Sequence, residues 1–402
     1  MPSKFKFALV TPLVLLFYSG SVKWIPIWPT DPTALSFVFV IIVFSAQLLL
    51  KPIPSKQWLF ASISLLLFFC FYGFTATYTA SEDYWKTKAL ALILVFVAFI
   101  APPVLIRERR VLQYVKNTFF MVGTAVSLLI LLSYITGTTE RLIDRDLFDS
   151  SGKTPDYLAL GMIVSVSTIL SLERNGLVRE INLLANLLAL VVLTGRGPLL
   201  AILVVLAMVG LRRIKRKLRR RHIKSLVFTA ASIFSLVFVL MFTDLGVVTI
   251  NRFIGIVTST ESYAAAFRTN DLVASMSIIS NYPITGVGLG GYGEAAFQDD
   301  TNYYPHNLFI EAWVEAGIAG VVFIIGFVMC ALRRAWQIRR DKDLKIFGLL
   351  ALVYLLNYMK SGGFVGARDL FMVLGFLYIS FPAPLTPLSP YGRAGKPSSA
   401  TR

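Results

Sequence analysis

Along the chain, apolar runs long enough to cross a bilayer alternate with short polar breaks. They fall near residues 7–22, 32–50, 57–78, 85–106, 111–136, 155–172, 178–195, 197–211, 225–243, 306–332, 344–360 and 368–382. A helix needs about 20 largely apolar residues to span the hydrocarbon core. Backbone crossing lipid must satisfy its own hydrogen bonds. The pattern therefore predicts an all-α polytopic membrane protein of about twelve transmembrane helices. Lys4 and Lys6 precede the first run as they would in a signal peptide, but no small-x-small cleavage site follows. Gly20 and Ser21 lead straight to Val22, Lys23 and Trp24, so the run reads as an uncleaved anchor. Residues 1–382 then form one integral membrane domain, and 383–402, rich in Pro, Ser and Gly, a disordered tail.

Composition agrees with the pattern. The chain is 56% hydrophobic and 15% charged, where a soluble chain carries about one quarter charged residues. A set of soluble domains is excluded. Cys70 and Cys330 both sit inside apolar runs, so no extramembrane disulfide is available and no Cys/His cluster has metal-ligand spacing. The net charge of +17 would suggest nucleic acid in a soluble protein; here its placement matters more. With a cytoplasmic N-terminus, the twelve-span arrangement puts most of the 39 Lys and Arg on the cytoplasmic side, as the positive-inside rule requires. Most acids fall outside, Glu82, Asp83, Asp144, Asp271, Asp299 and Asp300 among them. RRIKRKLRRRHIK, 212–224, then reads as a cytoplasmic topology determinant lying against anionic lipid rather than a nucleic-acid site, and His222 goes with it. One polar break is long, 244–305, and it lies on the external side. A membrane protein that concentrates its extramembrane residues in one loop works there.

Four stretches in and around that loop carry candidate chemistry. NYPITGVGLGGYGE, 281–294, contains Gly286-x-Gly288-x-x-Gly291, a literal dinucleotide fingerprint. That function needs a βαβ unit, which the loop does not offer; a turn bringing backbone close to a neighbour or ligand is the plainer reading. TGRGPLLA, 194–201, sets Arg196 between two apolar runs, with Gly195 and Gly197 beside it and Pro198 suited to a helix start. Arg196 is either a snorkelling interfacial residue or, with free backbone N–H groups at the helix start, a phosphate site. Arg268 lies in 262–280, a run with the composition of an amphipathic helix along the membrane surface; taken alone it reads as a solvated charge.

YYPHNLFIEAWVEAGIAG, 303–320, opens polar and becomes an apolar helix. Pro305 marks a helix boundary, so the helix is expected to start near His306. Asn307, Glu311 and Glu315 are four apart and share one stripe. The glutamates fall about 7 and 13 Å along the axis from His306, and about 140° from it around the axis, so direct contact with the imidazole needs a bend. Carboxyl groups at that depth are paired or functional. Glu315, with Gly317 and Gly320 allowing close packing, leans to a structural role paired with Arg or Lys from another helix; Glu311 stays open. His306, an imidazole at the water boundary, is a candidate for proton transfer. Arg252 in the same loop and Tyr304 complete the substrate-binding candidates.

In this order, TGRGPLLA, FRTNDLVASMSIISNYPITGVGLGGY and YYPHNLFIEAWVEAGIAG across a long external loop resemble the O-antigen ligase and polysaccharide polymerase family, over roughly residues 185–330. The resemblance implies a bacterial inner-membrane glycosyltransferase of GT-C-like helical fold. Such enzymes transfer a glycan from an undecaprenyl-diphosphate carrier to an acceptor hydroxyl on the periplasmic face, in ligases that of lipid A–core, in polymerases that of another carrier-linked glycan. By position, Arg196, Arg268 and His306 match the family's catalytic residues, and Asn307 and Glu315 fit its pattern. Leu272 departs from it where relatives often carry tryptophan. Two arginines can balance a leaving diphosphate without metal or other cofactor, and attack opposite the diphosphate inverts the anomeric centre. A transporter is the competing class, yet the two halves of the chain show no repeat and the charges of interest gather at one face.

Overall fold

The computed structural model describes residues 10–22, 31–50, 52–136, 157–193, 196–214 and 263–381. These residues form an all-α membrane protein with no strand among them. The helices are α1 (Thr11–Val22), α2 (Pro32–Leu50), α3 (Lys56–Phe74), α4 (Tyr84–Leu105), α5 (Arg109–Ile135), α6 (Tyr157–Ser171) and α7 (Gly176–Val192). After them come α8 (Arg196–Ile214), α9 (Tyr263–Asn281), α10 (Tyr292–Phe297), α11 (Leu308–Gln337), α12 (Lys345–Ser361) and α13 (Arg368–Phe376). Five are long and apolar enough to cross a membrane, namely α2, α3 with its 3-10 extension to Tyr78, α4, α5, and α11 with its extension to Arg340. Helices occupy eleven of the twelve apolar runs; the run 225–243 lies outside the described residues, as do loop residues 244–262, basic residues 215–224 and the tail. Large apolar side chains such as Leu49, Phe60 and Ile135 face outward, as lipid-facing positions do.

Boundaries shift where local chemistry overrides hydropathy. The last helix ends at Phe376, because 3-10-type bonds from the N–H groups of Leu377 and Tyr378 tighten its end ahead of Pro382. α11 begins at Leu308, not at His306, because Asn307 caps it: its Oδ1 accepts from the N–H groups of Phe309 and Ile310.

Packing needs small residues and internal polar pairs. Gly375 lets α13 lie on α4, since a Cβ there would fall 2.2 Å from the Phe99 carbonyl oxygen. α5, α6 and α7 are joined by a polar seam. Thr124 donates to Asn182 Oδ1 at 2.8 Å, Asn182 donates to Ser171 at 2.6 Å, and Ser127 donates to Asn186 Oδ1 at 2.6 Å. Such bonds hold helices together where the hydrophobic effect cannot.

One end of the bundle gathers the turns around residues 79–84, 282–307 and 361–368. The other gathers Arg109, Lys116, Glu173, Asp341 and Asp343, joined by ion pairs.

Candidate functional site

The site is built on a broken helix. Gly317, inside α11, has φ of 64°, a conformation side chains other than glycine rarely accept. A Cβ there would lie 1.8 Å from the Ile284 carbonyl oxygen. The break frees carbonyls at the end of the upper half-helix, and the glycine-rich turn takes them: Val287 N–H donates to the Val314 carbonyl and Gly288 N–H to the Glu315 carbonyl, both at 2.9 Å. Across the break, Ile318 N–H donates to the Pro283 carbonyl at 3.0 Å. The far side of the turn rests on the segment after α3. Ala80 N–H donates to the Val287 carbonyl, Thr79 to that of Leu289, and a Cβ on Gly288 would meet Thr79 Cα at 2.4 Å. The Gly286–Gly291 motif is thus a backbone wedge between α3 and α11.

Beneath it lies a buried charge cluster. Lys88 of α4 bridges Glu311 and Glu315, at 2.7 Å from Glu315 Oε1, and all three side chains are about 1% exposed or less. Every carboxylate oxygen is satisfied. Glu315 Oε2 accepts from the Tyr72 hydroxyl at 2.6 Å and from Gly290 N–H at 3.0 Å; Glu311 Oε2 accepts from Phe364 N–H at 2.9 Å. The two glutamates therefore tie α11 to α3, α4, the glycine turn and the segment after α12.

Tyr304, Pro305 and His306 form a tight turn, with His306 N–H donating to the Tyr304 carbonyl at 2.8 Å. His306 sits at φ of 54°, a strained backbone of the kind that collects at functional sites. Its ring meets the Tyr304 ring edge-on at 4.6 Å. Nε2 lies 3.6 Å from Asp271 Oδ2; the histidine side chain is 28% exposed and the aspartate 2%. Asp271 belongs to α9, and the Tyr292 hydroxyl holds its backbone by donating to the Asp271 carbonyl at 3.0 Å. Burial pushes the Tyr292 hydroxyl up to about 12, so it stays a donor at neutral pH. Asn307, besides capping α11, donates from Nδ2 to the Met359 carbonyl of α12 at 2.8 Å.

Beside this turn is a cavity of about 300 Å³ lined by Tyr304, Glu311, Asn357, Tyr358, Arg368 and Asp369, among others. Asn357 is 1% exposed, and its Oδ1 makes no hydrogen bond among the described residues. It lies 2.5 Å from where a Cβ on Gly197 would stand. The start of α8, whose first residue is Arg196, therefore adjoins the cavity wall. Arg268 is in α9, one turn before Asp271. Arg252 lies outside the described residues. Among the described residues no three of His, Cys, Asp and Glu converge as metal ligands would.

The glutamates meet Lys88 and not His306; it is Asp271 that faces the imidazole. Sequence reasoning passed over Asp271, Lys88, Asn357 and Asp369. Lys88 carried a signal, being a lysine inside an apolar run. Asp271 stood out only as one of several external acids. Among known families, residues 181–325 match the model described as O-Antigen ligase. No curated protein matches the chain.

Proposed function

We propose, from the match of residues 181–325 to the O-Antigen ligase model, that the chain transfers a glycan from an undecaprenyl-diphosphate carrier to an acceptor hydroxyl, ligase-like, with lipid A–core as acceptor. The site faces the periplasm of a bacterial inner membrane, both termini are cytoplasmic, and residues 1–382 form a single twelve-span, GT-C-like domain. The observation that carries this reading is the buried Asp271 carboxylate facing His306 on its strained turn, on the helix that holds Arg268.

With the Asp271 carboxylate 3.6 Å from Nε2 favouring the proton on that nitrogen, Nδ1 of His306 is left as the base. It accepts the acceptor hydroxyl proton as that oxygen bonds to the anomeric carbon. The bond from the anomeric carbon to the diphosphate oxygen breaks, and the diphosphate leaves on its carrier with inversion. Arg196 and Arg268 balance the charge that develops on it. Tyr304, Asn307, Arg252 and the cavity beside Glu311 frame the sugars, while Glu315 holds the wall behind them.

Purified protein given a carrier-linked glycan, with lipid A–core or a second carrier-linked glycan as acceptor, tests this reading and separates ligase from polymerase. His306→Ala is expected to slow transfer by about 10²–10⁴-fold. Asp271→Asn is expected to lower the rate less and to move the acid limb of the pH profile to lower pH, because an imidazole without its carboxylate loses its proton more easily. Undiminished transfer in Arg196→Ala, Arg268→Ala and His306→Ala removes the site assignment. Glycan transport without transfer removes the class.

A further inference from the structure

At the end of the bundle remote from His306, α3 and α11 leave a lateral groove of about 560 Å³. Its floor and walls are apolar, with Phe60, Val322, Phe323 and the open backbone at Gly326. Phe60 is 74% and Val322 61% exposed, so the groove faces lipid. Its rim carries Lys56, Arg333 and Arg334.

These three cations differ from their neighbours at the same end. Arg109 is paired with Asp341 and Asp343, and Lys116 with Glu173. Lys56, Arg333 and Arg334 form no ion pair among the described residues. Arg334 gives Nε to the Leu377 carbonyl at 3.0 Å and a weak 3.4 Å bond to Gln337, both neutral acceptors. Uncompensated cations at the mouth of an apolar groove call for an anion with an apolar body. The length fits. From Val322 to Arg334 the helix rises about 18 Å, close to the roughly 15 Å depth of one leaflet's hydrocarbon.

We propose that this groove is a binding site for an anionic phospholipid of the inner leaflet, with an acyl chain against Phe60 and Phe323 and the phosphate at Lys56, Arg333 and Arg334. The assignment is independent of the transferase reading.

The test is native mass spectrometry of the full chain in detergent, titrated with phosphatidylglycerol or with phosphatidylcholine of the same acyl chains. Wild-type protein is expected to retain phosphatidylglycerol about tenfold more strongly or better. The triple variant Lys56→Gln, Arg333→Gln, Arg334→Gln is expected to lose that preference. A control triple in the basic run, Lys215→Gln, Arg216→Gln, Lys217→Gln, is expected to keep it. Should the rim triple fail to fold, Gly326→Leu replaces it. No atom lies within 4 Å of a Cβ at Gly326, so a larger side chain has open space to enter the groove there, and leucine should reduce retention with charge unchanged. Equal retention of the two lipids by wild type, or a preference lost in the basic-run triple and kept in the rim triple and in Gly326→Leu, overturns the proposal.

Discussion

Two charge clusters sit at opposite ends of the bundle and are built differently. Near the candidate site, Lys88, Glu311 and Glu315 are buried and every carboxylate oxygen has a donor. At the other end Arg109, 57% exposed, meets Asp341 and Asp343 in reach of water. Ion pairs in water contribute little, whereas a buried pair that loses one partner leaves a stranded charge. The inner cluster thus fixes where α3, α4 and α11 stand relative to each other, whereas the Arg109 pairs decorate a surface beside the more buried Lys116–Glu173 pair.

The contrast can be broken most directly at its centre. Lys88→Met strands two carboxylates and is expected to destabilise the protein by about 3–5 kcal/mol, read as a lower midpoint of thermal unfolding in detergent; an unchanged midpoint would remove the structural role of the cluster. Gly317→Ala attacks the break instead, forcing a Cβ towards the Ile284 carbonyl at a left-handed φ. Its expected cost is about 1–3 kcal/mol or more, together with faster proteolysis of the 282–291 turn. Tyr72→Phe deletes one donor to Glu315 and should cost about 1–3 kcal/mol; no measurable shift would mean that Gly290 N–H alone suffices. At the outer cluster, Arg109→Ala is expected to cost no more than about 1 kcal/mol, and raising salt should shrink the difference.

The smallest effect concerns acid. Asp300 anchors the turn before α4, accepting from Ser81 and from the N–H groups of Asp83 and Tyr84. Partial burial works to raise its carboxyl, but these bonds outweigh it and hold it below the usual carboxylate range. The folded state therefore favours the charged form. That contribution is complete above the usual range and fades as pH falls through the lowered folded value. Asp300→Asn should lower stability slightly near neutrality, where that contribution is present, and flatten acid sensitivity below about pH 4, where wild type has already lost it.

Much of the fold was readable from hydropathy, because lipid-facing helices must be apolar over their length. The helix at 263–281 and the glutamate stripe followed from local spacing, whereas the cap at Asn307 displaced the helix start expected near His306. What local spacing does not carry is the identity of distant partners. Lys88 meets Glu311 across 223 residues of chain, and Asp271 reaches His306 only after the glycine turn has folded back. Gly317 suggested close packing, but the break there is imposed by the docked turn, whose N–H groups compete for the helix's own carbonyls. The charges of Lys56, Arg333 and Arg334 were counted for topology, and their convergence on one groove needed α3 and α11 side by side.

The severed helix also has a mechanical meaning. Bilayers vary in thickness, and a spanning helix answers by tilting. The upper piece of α11 is tied down by the glutamates and the glycine turn, and the lower piece begins at Ile318, whose N–H is held by the Pro283 carbonyl of that turn. The glycine turn therefore clasps both pieces of α11, and a tilt of the membrane-spanning piece bears on the same turn that holds Glu315 in place.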